Sequence, residues 1–114
     1  MISMAGCTER TQQEFHLPLE ALFDNLLEAL RRSKFELKFH NRRTGLITAA
    51  RSRVAFGAGE DITIELSRLD PELTLLDIES RAVTYTIKAS EHNLDNINAV
   101  LQNLHIALLE AGLE

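Results

Sequence analysis

The C-terminal segment of the chain carries the pattern that most constrains its fold. Between Asn93 and Ala111, apolar residues recur three or four positions apart, which at about 100° per residue places them on one stripe of a helix. These residues are Leu94, Ile97, Val100, Leu101, Leu104, Ala107, Leu108 and Ala111. A helix with such a stripe has to bury it against an apolar surface. We therefore expect the upstream residues to build a facing layer.

An amphipathic helix is also predicted near the N-terminus. Pro18 suits a first helical turn, where its missing N–H has no partner to lose. Apolar residues then follow the i, i+3, i+4, i+7 spacing of a helix. They are Leu19, Leu22, Phe23, Leu26, Leu27 and Leu30. Arg31, Arg32 and Lys34 come at the end, where cations complement the helix dipole. We predict a helix from Pro18 to this basic cluster.

Downstream of this helix, apolar residues occupy every second position, an alternation that predicts strands. Phe35, Leu37 and Phe39 alternate with polar residues and are expected to point inward. The turn 41–45 contains Gly45, and a Gly-rich loop occupies residues 56–59. Beyond that loop, a clean alternation predicts a strand with an inward-facing apolar set, Ile62, Ile64 and Leu66.

Two other strand segments leave alternatives open. The strand at 46–54 has an ambiguous inward phase, because Leu46 and Ile47 compete for the buried side. Residues 73–88 contain no obvious breaker, yet sixteen residues are long for one strand. Their phase changes near Leu75–Leu76 and again near Ser80–Ala82, where we expect bulges or bends. The segment is either one bent strand or two short ones.

The order helix, four or five antiparallel strands, helix predicts a two-layer α+β domain. Short turns imply a meander, and both helices are expected to cover one sheet face, an arrangement compatible with a helix grip. We place this single domain at residues 15–112, after a disordered segment at 1–14. Residues 113–114, Leu and Glu, resemble the remnant of a purification tag.

Composition bounds the partners of the domain. The chain has 114 residues and a formal net charge of −5, so it has no overall attraction for nucleic acid, and no DNA partner is expected. No apolar run approaches the ~20 residues of a spanning helix.

Residues 1–7, ending at Cys7, resemble the tail of a lipoprotein signal but lack its charged and apolar regions. We expect a cytoplasmic protein; membrane attachment in the envelope is the alternative, and requires an upstream start and a lipidated Cys7.

Charge is unevenly distributed along the chain. Eight basic residues lie between Arg31 and Arg53 against one acid, whereas seven acids lie between Glu60 and Glu79 against one base. A basic patch for RNA or phosphate is one interpretation. Its residues would be Arg31, Arg32, Lys38, Arg42 and Arg43. The favoured interpretation is cross-strand pairing, with Arg51 and Arg53 facing the acids of the next strand.

No catalytic or metal-binding constellation is found in the sequence. Asp77 and Glu79 share a strand face, but a cation needs further ligands, so a solvated face is the preferred interpretation. The four histidines lack metal-ligand spacing. We therefore predict that the domain is not an enzyme and uses no cofactor.

Asparagines accompany the last helix. Ser90 or Asn93 is expected to cap its N-terminus, since their side chains accept hydrogen bonds from free backbone N–H groups. Asn98 and Asn103 have poor helix propensity, and we expect them to be exposed to solvent.

The sequence resembles small bacterial domains of unknown function, some of which are lipoproteins. The resemblance rests on Leu-x-x-x-Leu followed by Gly-Leu-Ile-Thr-Ala, within Leu26 to Ala49, and on Asp-x-x-Asn, here Asp95 to Asn98. It covers about residues 18–109 and implies an α+β fold without catalytic residues. In size and acidity the chain also resembles secretion chaperones, which are small α+β dimers.

The leading functional hypothesis is a binding or interaction module that forms a homodimer or binds an unidentified protein. Its contact surface is predicted at Gln102, Ile106 and Leu109, which lie opposite the buried stripe. The alternative is a ligand or lipid pocket between sheet and helices. That pocket would be lined by Phe23, Phe39, Phe56 and Tyr85.

Overall fold

A computed structural model describes residues 8–52, 59–83 and 88–114. It contains five strands and two helices in the order β1 (Thr8–Phe15), α1 (Leu19–Arg32), β2 (Glu36–Asn41), β3 (Leu46–Ser52), β4 (Gly59–Asp70), β5 (Leu73–Ala82) and α2 (Ala89–Glu110). The strands form one antiparallel sheet in the order β1-β5-β4-β3-β2. Both helices pack on the same face of the sheet, so the predicted two-layer α+β fold is confirmed.

The first strand, β1, overturns the prediction of a disordered N-terminal segment for residues 8–14. It pairs with β5 in continuous register from Thr8 to Phe15. Its residues are mostly polar because β1 is an edge strand with solvent on its outer face. A polar edge strand lacks the apolar alternation by which the other strands were recognised.

Alternating residues of the central strands form the buried face of the sheet. Ile47 and Ala49 of β3 point inward, which settles the ambiguous phase of that strand. The prediction for β4 is confirmed, since Ile62, Ile64 and Leu66 are all buried. Together with Leu76 and Ile78 of β5, they pack against the apolar sides of α1 and α2.

A bulge in β2 makes the predicted inward phase of this strand wrong. The register shifts between Leu37, opposite Ala49, and Phe39, opposite Thr48. Residues directly opposite each other share a sheet face, so the extra residue turns Phe39 to the outer face, where it is 49% exposed. Leu37 keeps the inward phase but is 40% exposed at the sheet edge.

The fifth strand is a single strand from Leu73 to Ala82. Its pairing is continuous with β1 from Thr74 to Arg81 and with β4 from Thr74 to Ala82, so the bulges predicted near Leu75–Leu76 and Ser80–Ala82 are wrong. The one register shift lies at the start of the strand, where Leu73 and Thr74 face Asp70 and Arg68. The apolar residues that suggested a phase change, Leu73 and Leu75, lie half-buried on the outer face. The expected continuation over residues 84–87, and most of the Gly-rich loop at 56–59, lie outside the described residues.

Helix α1 matches its prediction and ends in a tight turn. Lys34 has a φ of 64°, and the amide of Phe35 returns a hydrogen bond to the carbonyl of Leu30. Buried Ser33 lies at this end, donating from Oγ to the Ala29 carbonyl and accepting a 2.8 Å hydrogen bond from Asn103 of α2. Ser33 thus links the two helices.

Helix α2 begins earlier than predicted, at Ala89, and has no side-chain cap. Most of its predicted stripe is buried, but Leu94 is 44% exposed and Ala111 lies beyond the helix. Asn93 and Asn96 are the polar residues on the buried side of α2, and both are fully buried. Among the described residues, no helix combines the length and apolar content needed to cross a membrane.

Candidate interaction surface and buried polar cluster

The outward side of α2 carries the predicted contact residues. Gln102 is exposed, as are Ile106 at 37% and Leu109 at 50%. Exposed Leu94 lies about 120° around the helix from Ile106, with Leu109 between them on the wheel. We call Leu94, Gln102, Ile106 and Leu109 the outer α2 surface. Ile106 and Leu109 adjoin at one end of this surface and Leu94 lies at the other, with Gln102 exposed between them, while the opposite side of the helix is already used in the core.

The two flanks of α2 face different neighbours. On one flank, Asn103 bonds to Ser33, and Glu110 forms an ion pair with Arg32 of α1. On the other flank, the Ser90 hydroxyl donates a 2.6 Å hydrogen bond to Glu9 of β1. Leu94 and Leu101 lie on this second flank, at i+4 and i+11 from Ser90, and so above the β1 edge of the sheet.

A polar cluster is buried between α2 and the centre of the sheet. It consists of Glu60 on β4, Ser80 on β5, and Asn93 and Asn96 on α2, each at most 2% exposed. Ser80 Oγ donates to Asn93 Oδ1 at 2.8 Å. Asn96 Nδ2 donates to Glu60 Oε1 at 2.7 Å and to Ser80 Oγ at 3.3 Å. The cluster places a carboxylate inside an otherwise apolar layer.

One acceptor of this cluster lacks a partner. Asn96 Oδ1 is buried and accepts no hydrogen bond from the described residues. Leaving such a group desolvated and unpaired costs about 1–3 kcal/mol. Oδ1 is therefore the point at which a bound donor would add stability.

This buried cluster was not predicted from the sequence. Asn93 was predicted as a possible N-cap, yet it lies four residues before Ile97 and seven before Val100, on the buried stripe itself. That spacing was the available sign of burial. The prediction for Asn103 is also wrong, because its side chain is half-buried and bonds to Ser33.

Carboxylates accompany most of the predicted basic patch. Four of its five residues form ion pairs: Arg31 with Glu28, Arg32 with Glu28 and Glu110, Lys38 with Glu36, and Arg42 with Asp24. The two neighbouring guanidiniums lower the pKa of Glu28 to about 2. Arg43 is exposed and forms no ion pair with the described residues. Much of the positive charge is thus neutralised locally.

The predicted cross-strand pairing of Arg51 has the expected register. Arg51 lies directly opposite Glu60 on β4. Its guanidinium also donates to the Ser33 carbonyl and lies 4.3 Å from the centroid of the Phe35 ring. Arg53 lies outside the described residues.

The predicted aromatic pocket is not assembled by its described members. Phe23 is 1% exposed in the core, where its ring centroid lies 6.2 Å from that of His40. Phe39 lies on the other face of the sheet because of the bulge. Phe56 and Tyr85 fall outside the described residues. Phe23 and Phe39 therefore cannot line one cavity.

The outer face of the sheet carries a shallow depression of about 190 Å³ lined by Arg10, Thr63, Glu65, Asp77 and Glu79. Arg10 forms an ion pair with Asp77, and Gln12 donates to the same carboxylate at 2.9 Å. The hydrogen bond from Arg10, followed by that from Gln12, lowers the pKa of Asp77. No cluster of three or more potential metal ligands occurs among the described residues.

Comparisons with known proteins establish the fold and no family. No protein-family model matches the sequence, and no curated protein matches it. Ara h 8.0201 has a similar structure, with a TM-score of 0.67 at 7% identity over 90% of this chain and 97% of that one. An uncharacterised protein from Bacillus thuringiensis gives 0.61 at 12% identity, covering 94% and 99%.

A third similar structure is that of the adenylate sensor from AMP-activated protein kinase, with a TM-score of 0.59 at 12% identity, covering 83% of this chain and 94% of that one. At such identities the likeness concerns architecture alone. The domain has the helix-grip arrangement, in which α2 lies along an open antiparallel sheet.

Proposed function

We propose that the domain is a non-enzymatic interaction module that forms a homodimer, with α2 at the contact. The observation that carries this proposal is the outer α2 surface. Leu94, Ile106 and Leu109 are each between 37% and 50% exposed on one side of a single helix. Single exposed apolar residues are ordinary, but several of them on one side of one helix are typical of contact surfaces.

A second copy is the occupant that this surface suits. An antiparallel pair of α2 helices would bring Leu94 of one copy toward Leu109 of the other, and the twofold symmetry repeats this contact. Burial of apolar area stabilises by about 25 cal/mol per Å². Burial of each exposed leucine at the contact would therefore stabilise the dimer without any change in the domain core.

Light scattering coupled to size exclusion tests the homodimer. The parent chain is expected to elute as a dimer at high micromolar concentration, and Leu109→Glu is expected to shift the equilibrium toward monomer. Leu69→Glu is the matched control, because Leu69 is equally exposed at 50% but lies at the end of β4. A parent chain that remains monomeric throughout the concentration series contradicts the proposal.

Circular dichroism shows whether the Leu109→Glu variant is still folded. Leu109 projects outward, so Leu109→Glu is expected to leave the thermal unfolding midpoint of the monomer within a few degrees of the control variant. A monomer that is also unfolded would mean that Leu109 supports the core, not an interface.

A second candidate function is binding of a small hydrogen-bond donor in the helix grip. It is favoured by the unpaired acceptor Asn96 Oδ1 beside the buried carboxylate of Glu60. A primary amine suits this pair of acceptors, since an ammonium group carries three donors and a positive charge. Lipid binding through the aromatic set has less support, because Phe39 faces away from the core.

Thermal-shift measurements separate this candidate from the first. Benzylamine and short alkylamines are expected to raise the unfolding midpoint of the parent chain, whereas fatty acids and anionic lipids are not. Asn96→Leu removes the acceptor, so the amine effect should disappear in this variant. Equal midpoints with and without amines in the parent chain would eliminate the candidate.

A further inference from the structure

The free edge of β1 offers a surface for strand pairing. Among the described residues, β1 pairs only with β5, and its register is continuous over all eight residues. It contains no proline, lysine or bulge, which are three of the devices by which proteins protect an exposed edge, and its charged residues are Glu9, Arg10 and Glu14. The opposite edge strand, β2, has both a bulge and Lys38. The two edges of the sheet are therefore not equivalent.

The sequence of β1 is complementary to itself in one antiparallel register. Even-numbered residues face the outer side of the sheet, since Gln12 lies opposite Asp77 and Arg10 opposite Glu79. A twofold axis beside Gln12 would place Arg10 of one copy opposite Glu14 of the other, on the same face, and would do so twice. Opposite charges on directly opposed residues stabilise strand pairs.

Both charges are accessible for this contact. Arg10 uses Nε and Nη2 for Asp77, which leaves the Nη1 side of its guanidinium toward solvent, and its side chain is 58% exposed. Glu14 is exposed at the end of the strand and forms no ion pair with the described residues. Pairing across the axis therefore requires no existing ion pair to break.

The position of helix α2 is also compatible with the twofold axis beside Gln12. Helix α2 contacts β5 and β1, so its axis lies above this strand pair. Two strand spacings of ~4.8 Å would then separate the α2 axes of two copies by about 10 Å, the distance at which helices pack. Ser90 contacts Glu9 at one end, and Leu108 lies near Phe15 at the other, so Leu101 sits within one turn of the axis.

We infer that two copies join along β1, forming a continuous ten-stranded sheet with the Leu94–Leu101 flanks of α2 in contact above it. This inference rests on the proposed self-association and names the element that directs it. Leu109 then lies toward the outer ends of the α2 pair.

Cysteine cross-linking tests the register in a Cys7→Ser background. Directly opposed Cα atoms on antiparallel strands are about 4.5–5.5 Å apart, within the range of a disulfide. Gln12→Cys is therefore expected to give a disulfide-linked dimer on air oxidation. Gln13→Cys is the matched control, because it is equally exposed but lies off the axis and on the other face.

Charge reversal supplies the second measurement. Arg10→Glu and Glu14→Arg are each expected to weaken the dimer about tenfold, since each turns two attractive contacts into repulsive ones, and the double variant should recover most of the loss. If the parent chain is dimeric while Gln12→Cys cross-links no faster than Gln13→Cys, the β1 arrangement is wrong and the homodimer stands. A monomeric parent chain with no cross-link overturns both.

Discussion

Replacing Ser80 by alanine is the most direct test of the buried polar cluster. Ser80 Oγ is fully buried, donates to Asn93 and accepts from Asn96. The substitution removes both hydrogen bonds and leaves Asn93 Oδ1 without this donor. Removing a partner from a buried polar group costs about 1–3 kcal/mol. For a domain of this size each kcal/mol corresponds to about 4 °C in the unfolding midpoint.

Ser67→Ala is the control for this experiment. Ser67 lies on the exposed outer face of β4, so the same chemical change there should alter the free energy of unfolding by less than about 0.5 kcal/mol. Urea unfolding followed by circular dichroism measures both variants against the parent chain. Equal stability of Ser80→Ala and Ser67→Ala would refute the view that the cluster holds α2 to the sheet.

A double-mutant cycle sharpens this result. Asn96→Leu removes the unpaired acceptor, but it also removes the donor to Ser80 and to the buried carboxylate of Glu60, so its cost is expected to be at least that of Ser80→Ala. The effects of the two substitutions should not be additive, because the side chains share one hydrogen bond. Additive free energies would mean that the two groups act independently.

Two further predictions concern a glycine and a carboxylate. Gly45→Ala is expected to destabilise by about 1–3 kcal/mol in urea unfolding, because Gly45 has a φ of 81° and a Cβ there would lie 2.6 Å from a β4 carbonyl oxygen. Gly112→Ala, at a φ of 74° with no atom nearby, should cost less, and equal losses would contradict the steric reason. For Glu28, two-dimensional NMR titration should give a pKa near 2, rising toward 4.5 when Arg31 and Arg32 are both replaced by alanine. Because the folded pKa lies below the unfolded one, the stabilisation from this carboxylate is complete above about pH 4.5 and declines as the pH falls toward 2.

Helices and strands whose apolar residues follow one regular spacing were predictable from the sequence. Helix α1 and strand β4 each bury one regular side, so the spacing of their apolar residues was enough to locate them. The edge strand β1 was missed because its backbone pairing with β5 does not depend on apolar side chains. The bulge in β2 was missed because it appears only when the strand is aligned with β3.

The candidate sites were predictable to a lesser degree. Ile106 and Leu109 were located as exposed by the helix period alone, as the structure confirms. The cluster of Glu60, Ser80 and Asn96 joins residues far apart in sequence, and each residue type is ordinarily solvated. Only the packing of α2 over β5, from which Asn96 reaches Glu60 on β4, turns these separate polar residues into one buried group.

The bulge in β2 means that this corner of the sheet can accommodate one extra residue without changing the pairing of the strand beyond it. Before the bulge, odd-numbered residues face the helices; after it, even-numbered ones do, which is how His40 comes to lie against Phe23. Because Phe39 already pairs with Thr48 and His40 with Ile47, removing Lys38 would leave Phe39 on the outer face and His40 on the helix side. The exposed phenylalanine and the histidine beside Phe23 thus keep their sides with or without the extra residue. Only a shift of the whole strand register would exchange the two sides.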